Sequence, residues 1–264
     1  MLLPNKGCTV SRATIAKNEA ARECMSVSNT NRDTLYQLHM PYGGMRFDHY
    51  VKMKRLTPTE LLRMLKPLFR ALVVLDEHRT CHMDIKGGNV VVRPRDETPL
   101  LIDYSLVTPY DAVYTKTNVK RLRFAYFPYP PEFQIFAAIA SESTDMRARI
   151  SKSLHKWGES TYALYTKYVS QNIHAAAVTR VSKLMKNAET KKGTGMGMIE
   201  WARQFCNRID IYGVGMMIVS LHDDVYPVSK KEMRTFQAFV KSLIHPDVTK
   251  RALPSEALQV IEAL

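Results

Sequence analysis

Between Cys81 and Ser105 the chain reads CHMDIKGGNVVV, a polar turn, and then LLIDYS, a run whose side chains suit the movement of a phosphoryl group. His82, Asp84, Lys86 and Asn89 fall in the pattern HxDxKxxN, and Asp103 follows Asn89 by fourteen residues. That interval predicts two short strands, Asn89 to Val92 and Leu100 to Asp103, joined by a turn at Arg93 to Pro99 and aiming their polar ends at one cleft. Phosphoryl transfer asks a protein mainly to position reactants and neutralise charge. It needs a carboxylate near the attacking hydroxyl and oxygen ligands for the metal that bridges the phosphates. Asp84 suits the first role as base or orienting group, Asn89 and Asp103 offer the hard oxygens that Mg2+ prefers, and Lys86 offsets charge on the transferring group.

The surrounding elements follow from spacing. Thr57, Pro58 and Glu60 form an N-cap, a first-turn proline and the acid of a capping box, so a helix starts there. Leu61, Leu62, Leu65, Leu68, Phe69, Leu72 and Leu75 then recur at helical intervals, while Pro67 predicts a kink. Ile211 to Leu221 is apolar nearly all round, which predicts a buried helix too short to span a bilayer. Upstream, Tyr36 to Phe47 reads as a strand leaving into a glycine-containing connector, and Asn18 to Met25 as a helix.

With these residues in place, the chain resembles the eukaryotic-type protein kinase family. The family's HRDLKxxN is HMDIKGGN here, its DFG is Asp103, Tyr104 and Ser105, and its APE is Pro130 to Glu132. DIYGVG at Asp210 to Gly215 and HPDVTKR at His245 to Arg251 match later family motifs in order and spacing. The resemblance implies an α+β, protein-kinase-like fold: a reduced small-lobe segment over 1–39, and a mostly helical large lobe over 40–264 carrying a helical insertion at about 133–209. It implies ATP and Mg2+ as cofactors, Asp84, Lys86 and Asn89 as catalytic residues, and Asn89 with Asp103 as metal ligands. Met40, Tyr42, Val91 and Asp103 would contact the nucleotide, the first two at a hinge. It also implies that Asp210 bonds the backbone of the catalytic loop and that Glu132 pairs with Arg251. Lys86 favours a Ser/Thr hydroxyl on a protein as acceptor. A small-molecule kinase of the aminoglycoside or choline kinase type shares HxDxxxxN, and a pseudokinase scaffold would keep the large lobe after losing the nucleotide grip.

Several positions depart from the family. Met83 replaces the Arg before the catalytic Asp, and Ser105 replaces a glycine, which predicts a stiffer turn. No GxGxxG precedes the Asn18 helix, where Lys6 and Lys17 are the candidate strand lysines and Glu19 or Glu23 the candidate ion-pairing acid, so the small lobe reads as truncated. The 77 residues between Glu132 and Asp210 predict two or three helices, with Lys191 to Met198 as a connecting loop. A helical insert, a minimal small lobe and the MPYGG hinge also resemble protein kinases of large DNA viruses.

Composition sets the bounds. With 264 residues and 45% apolar content, the chain can bury a substantial core. Four cysteines without CxxC or histidine clustering imply neither zinc nor a disulfide framework, and a reducing, intracellular, cytoplasmic setting fits. No apolar run reaches transmembrane length, so no membrane partner is expected. The net charge is +13, and 133–209 holds 12 basic and 5 acidic residues, a surplus of 7. A basic surface of this kind attracts acidic partners or nucleic acid, although a solvated basic face accounts for it as simply.

Overall fold

Thr57 and Glu60 begin a helix in the way their spacing predicts: the Thr57 hydroxyl accepts from the Glu60 N–H, and the Glu60 carboxylate accepts from the Thr57 N–H at 2.8 Å. This computed structural model describes residues 6–11, 13, 17, 34–39, 42–115, 129–140, 159–190 and 197–264. The chain divides into two units, Met1–Gly44 and Met45–Leu264. The protein is α+β and mostly helical.

In the first unit, β1 (Lys6–Ser11) pairs antiparallel with β2 (Thr34–His39), with Lys6 opposite His39 and Ser11 opposite Thr34. The strand expected from Tyr36 is therefore β2, which spans Thr34–His39 and precedes the glycine-containing segment. The predicted helix at Asn18 to Met25, with Glu19 and Glu23, lies outside the described residues.

The second unit opens with β3 (Met45–Arg46) and α1 (Phe47–Lys54), followed by α2 (Pro58–Glu77), β4 (Thr80–Cys81), β5 (Val90–Val92), β6 (Pro99–Leu101), β7 (Thr108–Pro109) and α3 (Tyr110–Val113). Then come α4 (Pro131–Ala140), α5 (Glu159–Tyr168), α6 (Gln171–Thr190), α7 (Met198–Arg203), α8 (Ile209–Ser220), α9 (Lys230–Leu243) and α10 (Pro254–Glu262). Strands β3, β5 and β6 form one antiparallel sheet in that order, and β4 pairs with β7.

Two apolar cores fill this unit. The larger gathers the buried face of α2 (Leu61, Leu65, Leu68, Phe69, Leu72), nearly all of α8, and Phe236, Val240 and Leu243 of α9. Pro67 lies inside α2, and the helix nonetheless runs unbroken from Pro58 to Glu77. One missing backbone bond costs less than the packing of its leucine face returns. Helix α8 is buried along its length from Ile209 to Val219, so it starts two residues earlier than the apolar run alone predicted. Gly215 is required there, because a Cβ at that position would lie 2.4 Å from Ile244 Cγ2 and 2.9 Å from Leu243 Cβ. The second core joins Tyr114, Phe133, Phe136, Val181, Met185 and Cys206.

The span 133–209 is built into both cores. Tyr165 and Tyr168 near the end of α5, with Val169 just after it, enter the larger, while Val178, Val181 and Met185 of α6 enter the second. The loop expected at Lys191 to Met198 lies outside the described residues as far as 196. Among the described residues, no helix is long and apolar enough to cross a membrane.

An ion pair ties the far side of the unit together. Arg251 Nη1 and Nη2 donate to the two carboxylate oxygens of Glu132 at 2.6 and 2.9 Å, and both side chains are fully buried. Arg251 also donates to the carbonyls of His245 and Arg208, each at 3.1 Å, and its guanidinium stands 4.8 Å from the Tyr212 ring centre.

Candidate active site

The segment from Cys81 to Asn89 is fixed by where its alternate residues go. Cys81 and Met83 point into the second core and Ile85 into the larger one, which leaves His82 and Asp84 between them. From below, Asp210 at the start of α8 takes both local amides: Oδ2 accepts the His82 N–H at 2.6 Å and Oδ1 the Met83 N–H at 3.0 Å. Burial pushes the Asp210 carboxyl up, and the two amide bonds oppose it by favouring the charged form. Met83 has φ 67, a left-handed conformation that a non-glycine residue holds only where its surroundings over-determine it.

The register of the β5–β6 hairpin decides which residues meet. Val90 lies opposite Leu101, and beyond that pair the Ile102 N–H donates to the Asn89 carbonyl at 2.9 Å. Asn89 and Asp103 therefore sit at the same end of the hairpin. The strands are shorter than predicted: Asn89 belongs to a 3-10 turn, Gly87–Asn89, and β6 runs Pro99–Leu101, so Asp103 lies past its end. Gly87 lets the turn approach α1 closely, since a Cβ there would lie 2.9 Å from Asp48 Cβ.

Three of the predicted residues form one bonded group. Lys86 Nζ lies 3.1 Å from each oxygen of Asp84. Asn89 Nδ2 donates to Asp84 Oδ2 at 2.7 Å and to the Asp84 carbonyl at 2.9 Å. Both amide protons are thereby committed to Asp84, so the Asn89 carbonyl oxygen faces away from it. Asp84 is only 6% exposed, which limits its carboxylate to a narrow opening.

Asp103 joins through neighbours. It too is left-handed, with φ 61 and ψ 71, which ends the strand's alternation and re-aims its side chain. Ser105 donates to Asp103 Oδ1 twice, from Oγ at 2.6 Å and from its amide at 3.3 Å. The Asp103 carboxyl is held below its usual range first by the Ser105 hydroxyl, with smaller help from the Ser105 amide and the charge of Lys86. His82 bridges the two segments: Nε2 contacts the Ile102 carbonyl at 3.1 Å and Nδ1 accepts the Asp84 N–H at 3.3 Å. These bonds require a neutral ring with its proton on Nε2, and burial pushes the His82 pKa down accordingly. Tyr104 packs edge-on against it, ring centres 5.1 Å apart.

The turn at Ser105 differs from its predicted form. The residue carrying positive φ is Asp103, whereas Ser105 lies in the 3-10 turn Tyr104–Leu106. The oxygens offered at this end of the hairpin fit a hard divalent cation. Among the described residues, Asn89 Oδ1 and Asp103 Oδ2 make no hydrogen bond to protein, and both belong to chemical types that Mg2+ accepts. No group of three or more His, Cys, Asp or Glu among the described residues is placed to hold a metal.

Of the remaining predicted contacts, Val91 is buried in the middle strand of the sheet, opposite Arg46 and Leu100. Tyr42 is 78% exposed, and Met40 lies outside the described residues. Sequence reasoning missed Tyr129, a buried residue whose hydroxyl is pushed up by burial first and then by the charges of Asp84 and Asp210. Its position immediately before PPE was the only signal. No protein-family model matches the chain, and no curated protein matches it.

Proposed function

We propose that this protein has a protein-kinase-like fold and is a phosphotransferase that moves the terminal phosphoryl group of ATP to a Ser/Thr hydroxyl of a protein. One observation carries the reading: the β5–β6 register and the Asp84–Asn89 bond gather a carboxylate, an ammonium and two uncommitted oxygens at one hairpin end. The Asp210 clamp and the Glu132–Arg251 pair, each expected from the family pattern, support it.

Asp84 accepts the proton of the acceptor hydroxyl, whose oxygen forms the new bond to phosphorus while the bond to the leaving diphosphate breaks. Its carboxylate is fixed for this by Lys86 and Asn89. Lys86, on the same carboxylate, places its positive charge beside the transferring group. Asn89 Oδ1 and Asp103 Oδ2 would hold Mg2+, which when bound would neutralise charge on the phosphates. The His82 bridge keeps the segment bearing the base and the segment bearing the metal carboxylate in register.

Thermal unfolding with ATP, with and without Mg2+, tests the reading. A Mg2+-dependent rise in unfolding temperature that vanishes in Asp103→Ala is expected, together with phosphate transfer to a protein acceptor that is lost in Asp84→Ala. Absence of any rise at saturating MgATP would overturn it in favour of a binding module, and transfer only to small molecules would reassign the acceptor.

A further inference from the structure

Ser105 sets which oxygen of Asp103 is available, and we propose that it is a positioning residue that presents the Asp103 carboxylate to the divalent cation through its hydroxyl. The inference rests on the reading above. It concerns a serine at a position where the chain departs from the family pattern.

The geometry is unusually restrictive for an exposed turn. Asp103 has no freedom on its backbone side, because φ 61 places it in the sparsely populated left-handed region. Its side chain is then held by two donors from one residue, both on Oδ1, the shorter at 2.6 Å from the Ser105 hydroxyl. A hydroxyl at that distance from a carboxylate makes a charge-assisted bond, stronger than a neutral one. Oδ1 is consumed in this way and Oδ2 is left as the available ligand atom, at the end of the hairpin where Asn89 Oδ1 is also uncommitted. A backbone amide alone, at 3.3 Å, holds the carboxylate less tightly than the hydroxyl does.

A plain capping role makes a different prediction. Asp103 is the N-cap of the 3-10 turn Tyr104–Leu106, and the Ser105 amide alone satisfies that cap. If capping were the whole role, removal of the hydroxyl would leave cation affinity untouched. If the hydroxyl presents the carboxylate, its loss weakens cation binding, as the loss of supporting hydrogen bonds around metal ligands does, by about tenfold or more.

The test is a Mg2+ titration at fixed ATP, reading the Mg2+ concentration at half of the ATP-induced rise in unfolding temperature, in wild type, Ser105→Ala, Ser105→Gly, Ser105→Thr and Asp103→Ala. The expected result is a half-saturating Mg2+ concentration about tenfold higher in both Ser105→Ala and Ser105→Gly, wild-type behaviour in Ser105→Thr, and no rise in Asp103→Ala. Using two hydroxyl-free variants keeps the test valid if one of them folds poorly. Wild-type Mg2+ dependence in Ser105→Ala or Ser105→Gly, with Asp103→Ala inactive, would overturn this inference and leave the phosphotransferase reading standing. No Mg2+-dependent rise in wild type would overturn both.

Discussion

Removing one partner of the Glu132–Arg251 pair strands the other in a site without solvent, because both side chains are fully buried. The two single variants differ in what they leave behind. Glu132→Leu leaves a guanidinium that still donates to the carbonyls of His245 and Arg208 and still faces the Tyr212 ring. Arg251→Met leaves a carboxylate with no other hydrogen bond among the described residues, and it also frees the two carbonyls. Breaking a buried pair costs about 3 to 5 kcal/mol, so Glu132→Leu belongs near the lower end and Arg251→Met near the upper. At about 2 to 4 °C per kcal/mol for a domain of this size class, the unfolding temperature falls by about 6 to 20 °C. The double variant Glu132→Leu/Arg251→Met has no charge to strand, and it recovers most of the loss. Urea denaturation followed by circular dichroism measures all four proteins. A single variant within about 1 kcal/mol of wild type, the range of solvent-exposed pairs, refutes the reasoning, as does a double variant whose loss equals the sum of the singles.

Two further outcomes follow from buried groups. His174 accepts or donates at 2.9 Å to the Tyr165 hydroxyl, and burial pushes its pKa down to about 4 from 6.5, so the folded protein holds it neutral. The unfolded chain binds the extra proton between those values, so stability is fully present above pH 6.5 and is lost as pH falls toward 4. The loss amounts to about 3 kcal/mol, and urea midpoints measured across that window should fall more steeply in wild type than in His174→Asn. Gly215→Ala drives a methyl against Ile244 and Leu243, costing about 1 to 3 kcal/mol by overpacking, of which about 1 kcal/mol is offset by better helix propensity. An unfolding temperature at or above that of wild type would show that the two neighbours yield.

Much of the site could be read from sequence because its residues are near one another in the chain. The HxDxKxxN spacing and a hairpin-sized interval to Asp103 were enough to foresee that Asn89 and Asp103 share an end, and the capping box at Thr57 located α2. The Asp210 clamp and the Glu132–Arg251 pair needed the family pattern, since nothing local in either segment names a partner more than a hundred residues away. What stayed hidden depends on backbone dihedrals and three-dimensional neighbours. Ser105 was expected to matter through the glycine it replaces, but the left-handed residue is Asp103 and the serine acts through its hydroxyl. Tyr129 is brought near Asp84 by tertiary packing, which no periodicity encodes. Helix α1 was missed because it is only eight residues long, so the helical spacing of its buried Phe47, Tyr50 and Val51 covers little more than one turn.

The alternating anchorage of Cys81, Met83 and Ile85 acts as a suture between two hydrophobic bodies. Neither body can loosen without pulling on the same few residues, so the amides of His82 and Met83 should exchange with solvent only when the whole unit opens. On heating, the arrangement around Asp84 and the tertiary structure should then be lost at one temperature, in contrast to proteins in which such a segment melts ahead of the scaffold that carries it.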